Sequence, residues 1–556
     1  MVEHFPPIDR EMFKKGGEDR NPAVQLFGRR FFADQTVPEL LVEFLLVASS
    51  EKRIGETVLT RDQVLPGVDI LQRWPEKAHL EYAFKARLNL KLFAFLGASK
   101  LETRHETHRQ HYRQLISALK DPKTLVVSGV TNGTEVFRTL GNLFLGLQGV
   151  GGDRTWCAQS FLPITRELIA GESIWRETRA KASDVQDWDA ALDFFSHTQK
   201  IFLSRGGELL YLQVCNALRQ DASTIKAWCD QAGLSPSTRE YTPELLHNAL
   251  QTGISSILDS CPEAVGKLAS FIDTGVDPKT AERTDKDLGG KPRFIRCGWC
   301  PVESWPEGLL FAIELLRLCE AAIDPIERLE LMEIACAMQV LRSLCAQSAR
   351  YVEWARERKG SASVLSFVWA ISDPEGSNTV VKQISRRCVN ANQRMIYEAI
   401  RHPDIIKVLD QQERKDRAQG RVWRDPYREA DGRYGYKLFL TLAKRIGLII
   451  PKRGAGARFV LNDKLLRYLV MSAIRPGERV SYETFKDLVF AHYGIALDDE
   501  KIARACEWCG TSRLTTLGGN SDRWVMEMLD AAGVLVRLSD SCSLVVNPFD
   551  GEGKAS

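Results

Sequence analysis

The chain has 556 residues, with 75 Lys and Arg against 72 Asp and Glu, a net charge of +3, and is 44% hydrophobic and 26% charged. This balance excludes collagen-like, disordered and supercharged chains and leaves a globular protein of roughly three to five domains, at roughly 100–200 residues each. No apolar run approaches the ~18 residues of a membrane helix; the longest, Leu40–Ala48, is interrupted by Glu43, and Met1–Lys15 lacks the apolar stretch of a secretory leader. Thirteen cysteines, an odd number scattered through apolar segments, read as the reduced thiols of a cytoplasmic protein rather than as a disulfide framework.

The first 25 residues are polar and punctuated by Pro and Gly, and read as an arm. Helical signals follow. Thr36 and Glu39 have capping-box spacing, with Pro38 in the first turn, ahead of Leu40, Leu41, Phe44 and Leu45. Leu80, Phe84, Leu88, Leu92 and Phe95 lie near helical spacing and predict a second amphipathic helix. Lys123–Ser128 reads as a strand, and helices recur through residue 275, including Gly206–Leu218 and Thr242–Leu258. The Gly/Asp/Lys-rich stretch Thr274–Arg293 reads as a domain boundary. Beyond it, Asp324 and Pro325 open a pattern unbroken to Gly360, which predicts one long spine helix, and Val380–Ile400 predicts another. The expected architecture is mainly α: an arm (1–25), an N-terminal helical domain (26–275), a middle helical domain (276–405), and C-terminal tandem winged-helix-like (α+β) units at 406–462 and 463–550.

The two C-terminal units share a plan. In the first, the amphipathic segment Tyr434–Arg445 stops at Gly447 and is followed by the apolar Leu448–Ile450, the basic Gly-rich loop Pro451–Ala457 and the return Arg458–Leu461. In the second, Asp522–Ala532 stops at Gly533, and Val534–Leu538 and Ser543–Val546 flank a Ser539–Asp540–Ser541 turn. The Gly residues fit the left-handed position after a last helical turn. Three further helical segments, Asp463–Ala473, Tyr482–Tyr493 and Asp499–Cys509, with a short strand Arg479–Ser481, complete the second unit. Helix, Gly stop, strand, polar loop and strand resembles the helix-plus-wing half of a winged helix-turn-helix.

Winged helices meet either DNA or protein, and local charge separates the two. Glu413–Arg458 holds thirteen Lys and Arg against five acids, a net of +8 in a chain of +3. Such basicity supplies sequence-independent phosphate affinity through counterion release. The expected DNA contacts are Lys437, Lys444 and Arg445 on the helix, Lys452, Arg453 and Arg458 on the wing, and Arg421, Arg424 and Arg433 in the approach. Trp423, Tyr427, Tyr434 and Tyr436 interleave these charges as candidate stacking surfaces. A weaker basic zone, Lys85–Arg113, offers Arg104, His108, Arg109 and Arg113 as a secondary surface, with a solvated helix face as the favoured alternative.

Catalytic motifs are missing. Gly266–Lys267 and Gly290–Lys291 lack the flanking residues of a phosphate-binding loop, the Gly-rich run Gly146–Asp153 lacks its Lys–Ser/Thr, and no G-x-S-x-G or H-E-x-x-H occurs. Two C-x-x-C pairs, Cys297/Cys300 and Cys506/Cys509, would make a four-thiolate zinc site only if distant segments met; the expectation is no cofactor. Asp69, Glu81 and Lys85 have the residue types of a carboxylate–lysine nuclease in helical surroundings.

Arg29–Ser50 (RRFFADQTVPELLVEFLLVASS), together with the C-terminal winged segments, resembles uncharacterised helical accessory proteins of bacterial anti-phage defence clusters of the Druantia, BREX or DISARM type, over about a fifth of the chain. The resemblance implies partner chains with helicase, ATPase or nuclease activity. The expected function is a non-catalytic DNA-binding and scaffolding subunit of a DNA-processing or defence complex that binds double-stranded DNA and other protein subunits. The alternatives are a metal-dependent nuclease with dispersed ligands and an adaptor that docks proteins through its winged helices.

Overall fold

The structure is a computed structural model. It describes residues 20–33, 35–74, 79–83, 205–235, 240–259, 294–423, 425–511, 521–539 and 542–550, with a few isolated positions between them. These residues are mainly helical.

The N-terminal part holds α1 (Pro22–Phe27) and α2 (Val37–Ser49). α1 lies in the expected arm but is buried throughout, and Arg20 just before it pairs with Asp416 at 2.7 Å. The Glu39 carboxylate accepts the Thr36 N–H at 2.6 Å, the backbone half of the predicted capping box. Strands β1 (Glu51–Ile54), β2 (Thr57–Leu59), β3 (Leu80–Ala83) and β4 (Ile295–Arg296) form an antiparallel sheet in the order β2-β1-β3-β4. Residues 80–83 are therefore strand where helical spacing predicted helix, because Leu80 and Tyr82 bury one face while the backbone pairs with β1 and β4. Lys52 on β1 is fully buried, and its ammonium donates to the Ala48 and Ser50 carbonyls at 2.8 and 2.7 Å, neutralising the C-terminal end of α2.

α3 (Gly206–Leu218), α4 (Ala222–Ala232), α5 (Pro243–Leu258), α6 (Trp305–Glu320) and α7 (Pro325–Tyr351) build the body. α2 and α3 approach closely because a Cβ on Gly207 would stand 2.4 Å from the Phe44 nitrogen. The first two amides of α3 donate to Gln35 and Glu43 of the α2 segment at 3.1 and 2.8 Å. The predicted spine helix to Gly360 ends at Tyr351: Val352 is extended, and only a short turn, Glu353–Glu357, continues. Tertiary anchors redirect the chain there, since Trp354 donates to Glu398 at 2.6 Å and packs on Trp508 with centroids 5.5 Å apart.

The C-terminal part contributes β5 (Trp369–Ala370), α8 (Thr379–Ile400), α9 (Pro403–Ala418), α10 (Tyr436–Arg445), β6 (Ile449–Ile450), β7 (Arg458–Phe459), α11 (Asp463–Ala473), β8 (Arg479–Ser481), α12 (Tyr482–Tyr493), β9 (Ile495–Ala496), α13 (Asp499–Trp508), α14 (Arg523–Ala531), β10 (Leu535–Ser539) and β11 (Cys542–Val546). α9 runs through the expected boundary at 405/406. A helical turn at Pro426–Glu429 and a π-turn at Ala430–Tyr434 precede α10. β6 and β7 form an antiparallel hairpin, β8-β11-β10 an antiparallel sheet, and β9 runs parallel to β5.

One continuous apolar core links these parts, and a buried ionic network crosses it. The Arg342 guanidinium on α7 holds the Glu314 carboxylate on α6 at 2.7 and 2.9 Å, with neither side chain exposed. Glu314 also bonds the His492 Nδ1 of α12 at 2.9 Å and accepts from the Tyr468 hydroxyl of α11 at 3.3 Å. Arg342 further donates to the His492 carbonyl at 3.0 Å and to Gln339 at 2.8 Å.

Burial alone would raise the Glu314 pKa, but the Arg342 guanidinium and the hydrogen bonds outweigh it and hold the carboxyl below its ordinary range. Burial pushes the His492 pKa down, against the opposing pull of Glu314. Both shifts leave the folded state with fewer bound protons than the unfolded chain, so stability is present at neutral pH and is lost as pH falls below the ordinary histidine range and then below the ordinary glutamate range. Urea unfolding is expected to show this loss, with His492→Asn removing the upper step. Glu314→Leu alone should cost about 3–5 kcal/mol, and less when combined with Arg342→Met.

Candidate nucleic-acid interface

The β6–β7 hairpin is built from α10 outward. α10 buries Leu438, Phe439, Leu442 and Ala443 and closes at Gly447, whose φ of +80° no side chain accepts readily. β6 follows, and β7 is fixed on three sides. The Phe459 ring stacks on Trp369 at 5.8 Å, its N–H donates to Ser385 Oγ of α8 at 2.8 Å, and its carbonyl accepts from the Ser372 N–H at 3.0 Å. The intervening loop is held only at its base, and positions 452–456 are exposed.

The expected contact residues divide sharply. Lys452 and Arg453 are exposed on the loop, Lys437 is exposed and Lys444 half-buried on α10, and none of the four has a hydrogen bond or ion pair among the described residues. Arg458 is different. It is 7% exposed and donates to Ser372 Oγ at 3.1 Å and to the Pro374 carbonyl at 2.7 Å, so it anchors the hairpin rather than facing solvent. Arg445 donates to the Gln35 carbonyl at 2.7 Å, Arg433 pairs with Glu429 at 3.2 Å, and Arg421 lies 3.7 Å from Asp416. Arg424 and the secondary basic zone with Arg104, His108, Arg109 and Arg113 lie outside the described residues, as do the expected strand Lys123–Ser128 and the boundary stretch up to Arg293.

The expected stacking aromatics are partly committed elsewhere. Tyr434 and Tyr436 are buried in the core, and Tyr427 lies beneath the Arg401 guanidinium at 4.9 Å. Charge counting along the chain missed α8. Lys382 and Arg386 lie one turn apart on it, Arg387 follows, and none of the three has a hydrogen bond or ion pair among the described residues. The signal was present in the sequence, since the only acid on this helix is Glu398.

The second hairpin, β10–β11 with α14, has the same plan but paired charges. Arg523 pairs with Glu527 at 3.1 Å, Arg537 with Asp530 at 2.8 Å, and Lys486 with Asp522 at 2.8 Å. Its strand exposes Val536 and Leu538 instead. Comparison with protein-family models, curated proteins and solved structures returned no match for this chain.

The remaining candidates do not assemble. Cys297 and Cys300 are buried beside β4, where burial pushes the Cys300 thiol up to about 12. The Cys509 sulfur lies 3.4 Å from Cys388 on α8. Among the described residues no three His, Cys, Asp or Glu side chains are grouped to hold a metal ion. Glu81 pairs with Arg53, Asp69 sits in a separate helical turn, and Lys85 lies outside the described residues.

The division between anchoring and exposed cations is testable by thermal or urea unfolding. Arg458→Ala should destabilise the protein by about 1–3 kcal/mol by stranding its buried acceptors. Lys452→Gln/Arg453→Gln should leave stability within about 0.5 kcal/mol of wild type.

Proposed function

We propose that this chain is a non-catalytic DNA-binding and scaffolding subunit that engages the phosphate backbone of duplex DNA through its basic hairpin and meets partner proteins through its second hairpin and helical body. The observation that carries this reading is the exposed Gly-rich loop, whose Lys452 and Arg453 have no ion-pair partner among the described residues and whose β7 base is seated on α8. Phosphate recognition needs mobile, solvated cations on a fixed support, and backbone contacts of this kind position a protein on DNA without reading sequence.

In this reading the segment 463–550 is a winged-helix unit. Its succession of helix, strand, three helices (the first two separated by the short β9) and hairpin, with sheet order β8-β11-β10, supports that topology. The segment 406–462 supplies a helix and wing alone. The paired charges and exposed Val536 and Leu538 of the second wing favour a protein partner there. The partners would supply the motor or nuclease activity, as in the bacterial anti-phage defence complexes that the sequence resembles.

A salt titration of full-length protein with a random-sequence duplex tests the DNA half. Log affinity should fall linearly with log salt, by about 0.9 for each phosphate neutralised. Lys452→Glu/Arg453→Glu should abolish most of this binding. Affinity indifferent to salt and to the charge reversal would instead leave the chain as a protein adaptor.

A further inference from the structure

We infer that α8 forms the second wall of the phosphate-contacting surface, so that one strand of the duplex backbone crosses between Lys382 and Arg386 on the helix and Lys452 and Arg453 on the loop; this rests on the DNA-binding reading above. The two elements are far apart in sequence and joined in space by the Ser385–Phe459 hydrogen bonds. Ser385 points into that junction, and the next residue, Arg386, emerges beside the loop. Its guanidinium lies 3.2 Å from where a Cβ on Gly456 would stand. The Lys382 ammonium and the Arg458 guanidinium converge on another point, 3.1 and 3.0 Å from the Cβ position of Gly376.

Lys382 and Arg386 on α8 thus stand beside a hairpin that itself carries exposed Lys452 and Arg453, with the anchored Arg458 at its base. In the adjoining turn Asp373 opposes Arg458. The Asp373 carboxylate already accepts the N–H groups of Gly376, Ser377 and Asn378. Like charges held this close repel one another, and an incoming polyanion relieves the repulsion as it releases its own counterions. Glycines at 454 and 456, both at positive φ, leave the loop backbone open to close approach by a phosphate. A duplex backbone presents regularly spaced anions that two separated cation pairs can meet together, and this favours DNA over a single acidic side chain.

The test uses the full-length chain, a labelled random-sequence duplex and salt from about 50 to 200 mM. Lys382→Gln/Arg386→Gln should weaken binding and reduce the magnitude of the log–log salt slope by about two, as should Lys452→Gln/Arg453→Gln. The charge-preserving Lys382→Arg/Arg386→Lys should retain the wild-type slope. Arg394→Gln, on the same helix but paired with Glu398 at 2.6 Å, should leave it unchanged. A wild-type slope in Lys382→Gln/Arg386→Gln, with the loop variant impaired, overturns the role of α8 and leaves the DNA reading standing. Absence of salt-dependent duplex binding by wild type, or preferential binding of polyglutamate, overturns both.

Discussion

Arg342 and Glu314 have no exposure to solvent, and two hydrogen bonds hold their charges together. An unpaired charge at that depth would cost several kcal/mol, which makes the relative placement of α6 and α7 an all-or-none matter. The same carboxylate takes the His492 ring of α12 and the Tyr468 hydroxyl of α11. Arg342 closes the circuit on the His492 carbonyl. A shift of the C-terminal helices relative to the body would therefore strand a buried ion as well as open apolar surface. A purely apolar interface could slide by a fraction of a turn; this one is fixed in register by the directions of its hydrogen bonds.

From that junction the surface features are carried outward. α7 packs against α8 and α10, and α8 holds the β6–β7 hairpin through Ser385. The loop thus carries exposed Lys and Arg side chains above a base that is hydrogen-bonded, stacked and buried. Arg458 illustrates the division. It carries the same charge as Arg453 and lies five residues away, yet it holds the 372–374 turn in place. Burial pulls its pKa below the ordinary arginine value, partly offset by Asp373, and the nearby Arg386 guanidinium adds to the lowering.

Much of the helical framework was legible because its ends are local chemistry. α3, α11, α12 and strand β8 begin and end where the sequence predicted, and Asn462, Ser481 and Asp498 each cap the following helix through their side chains. What sequence could not show was set by distant partners. Leu80–Ala83 carries a helix-like spacing but pairs with β1 and β4, and Tyr351 ends α7 because Trp354 is committed to Glu398 and Trp508. The candidate site divides in the same way. The Gly-rich loop announced itself through composition. The burial of Arg458, the docking of Tyr434 and Tyr436 in the core, and the arrival of Arg386 beside Gly456 depend on contacts between residues far apart in the chain.

The near-neutral total of the chain carries little information about what its surface attracts. At physiological ionic strength exposed charges are screened beyond about 8 Å, so a partner senses the charges beside it and not their sum. Around the second hairpin Arg537 on β10, Arg523 on α14 and Lys486 on α12 each have an acid within about 3 Å, and these charges cancel locally. Around the first hairpin Lys452, Arg453, Lys382 and Arg386 have no such partner among the described residues. Two hairpins of one plan therefore present different surfaces, one with exposed cations that have no acid partner among the described residues and one with paired charges and exposed Val536 and Leu538. Pairing, more than composition, separates the electrostatics of the two faces.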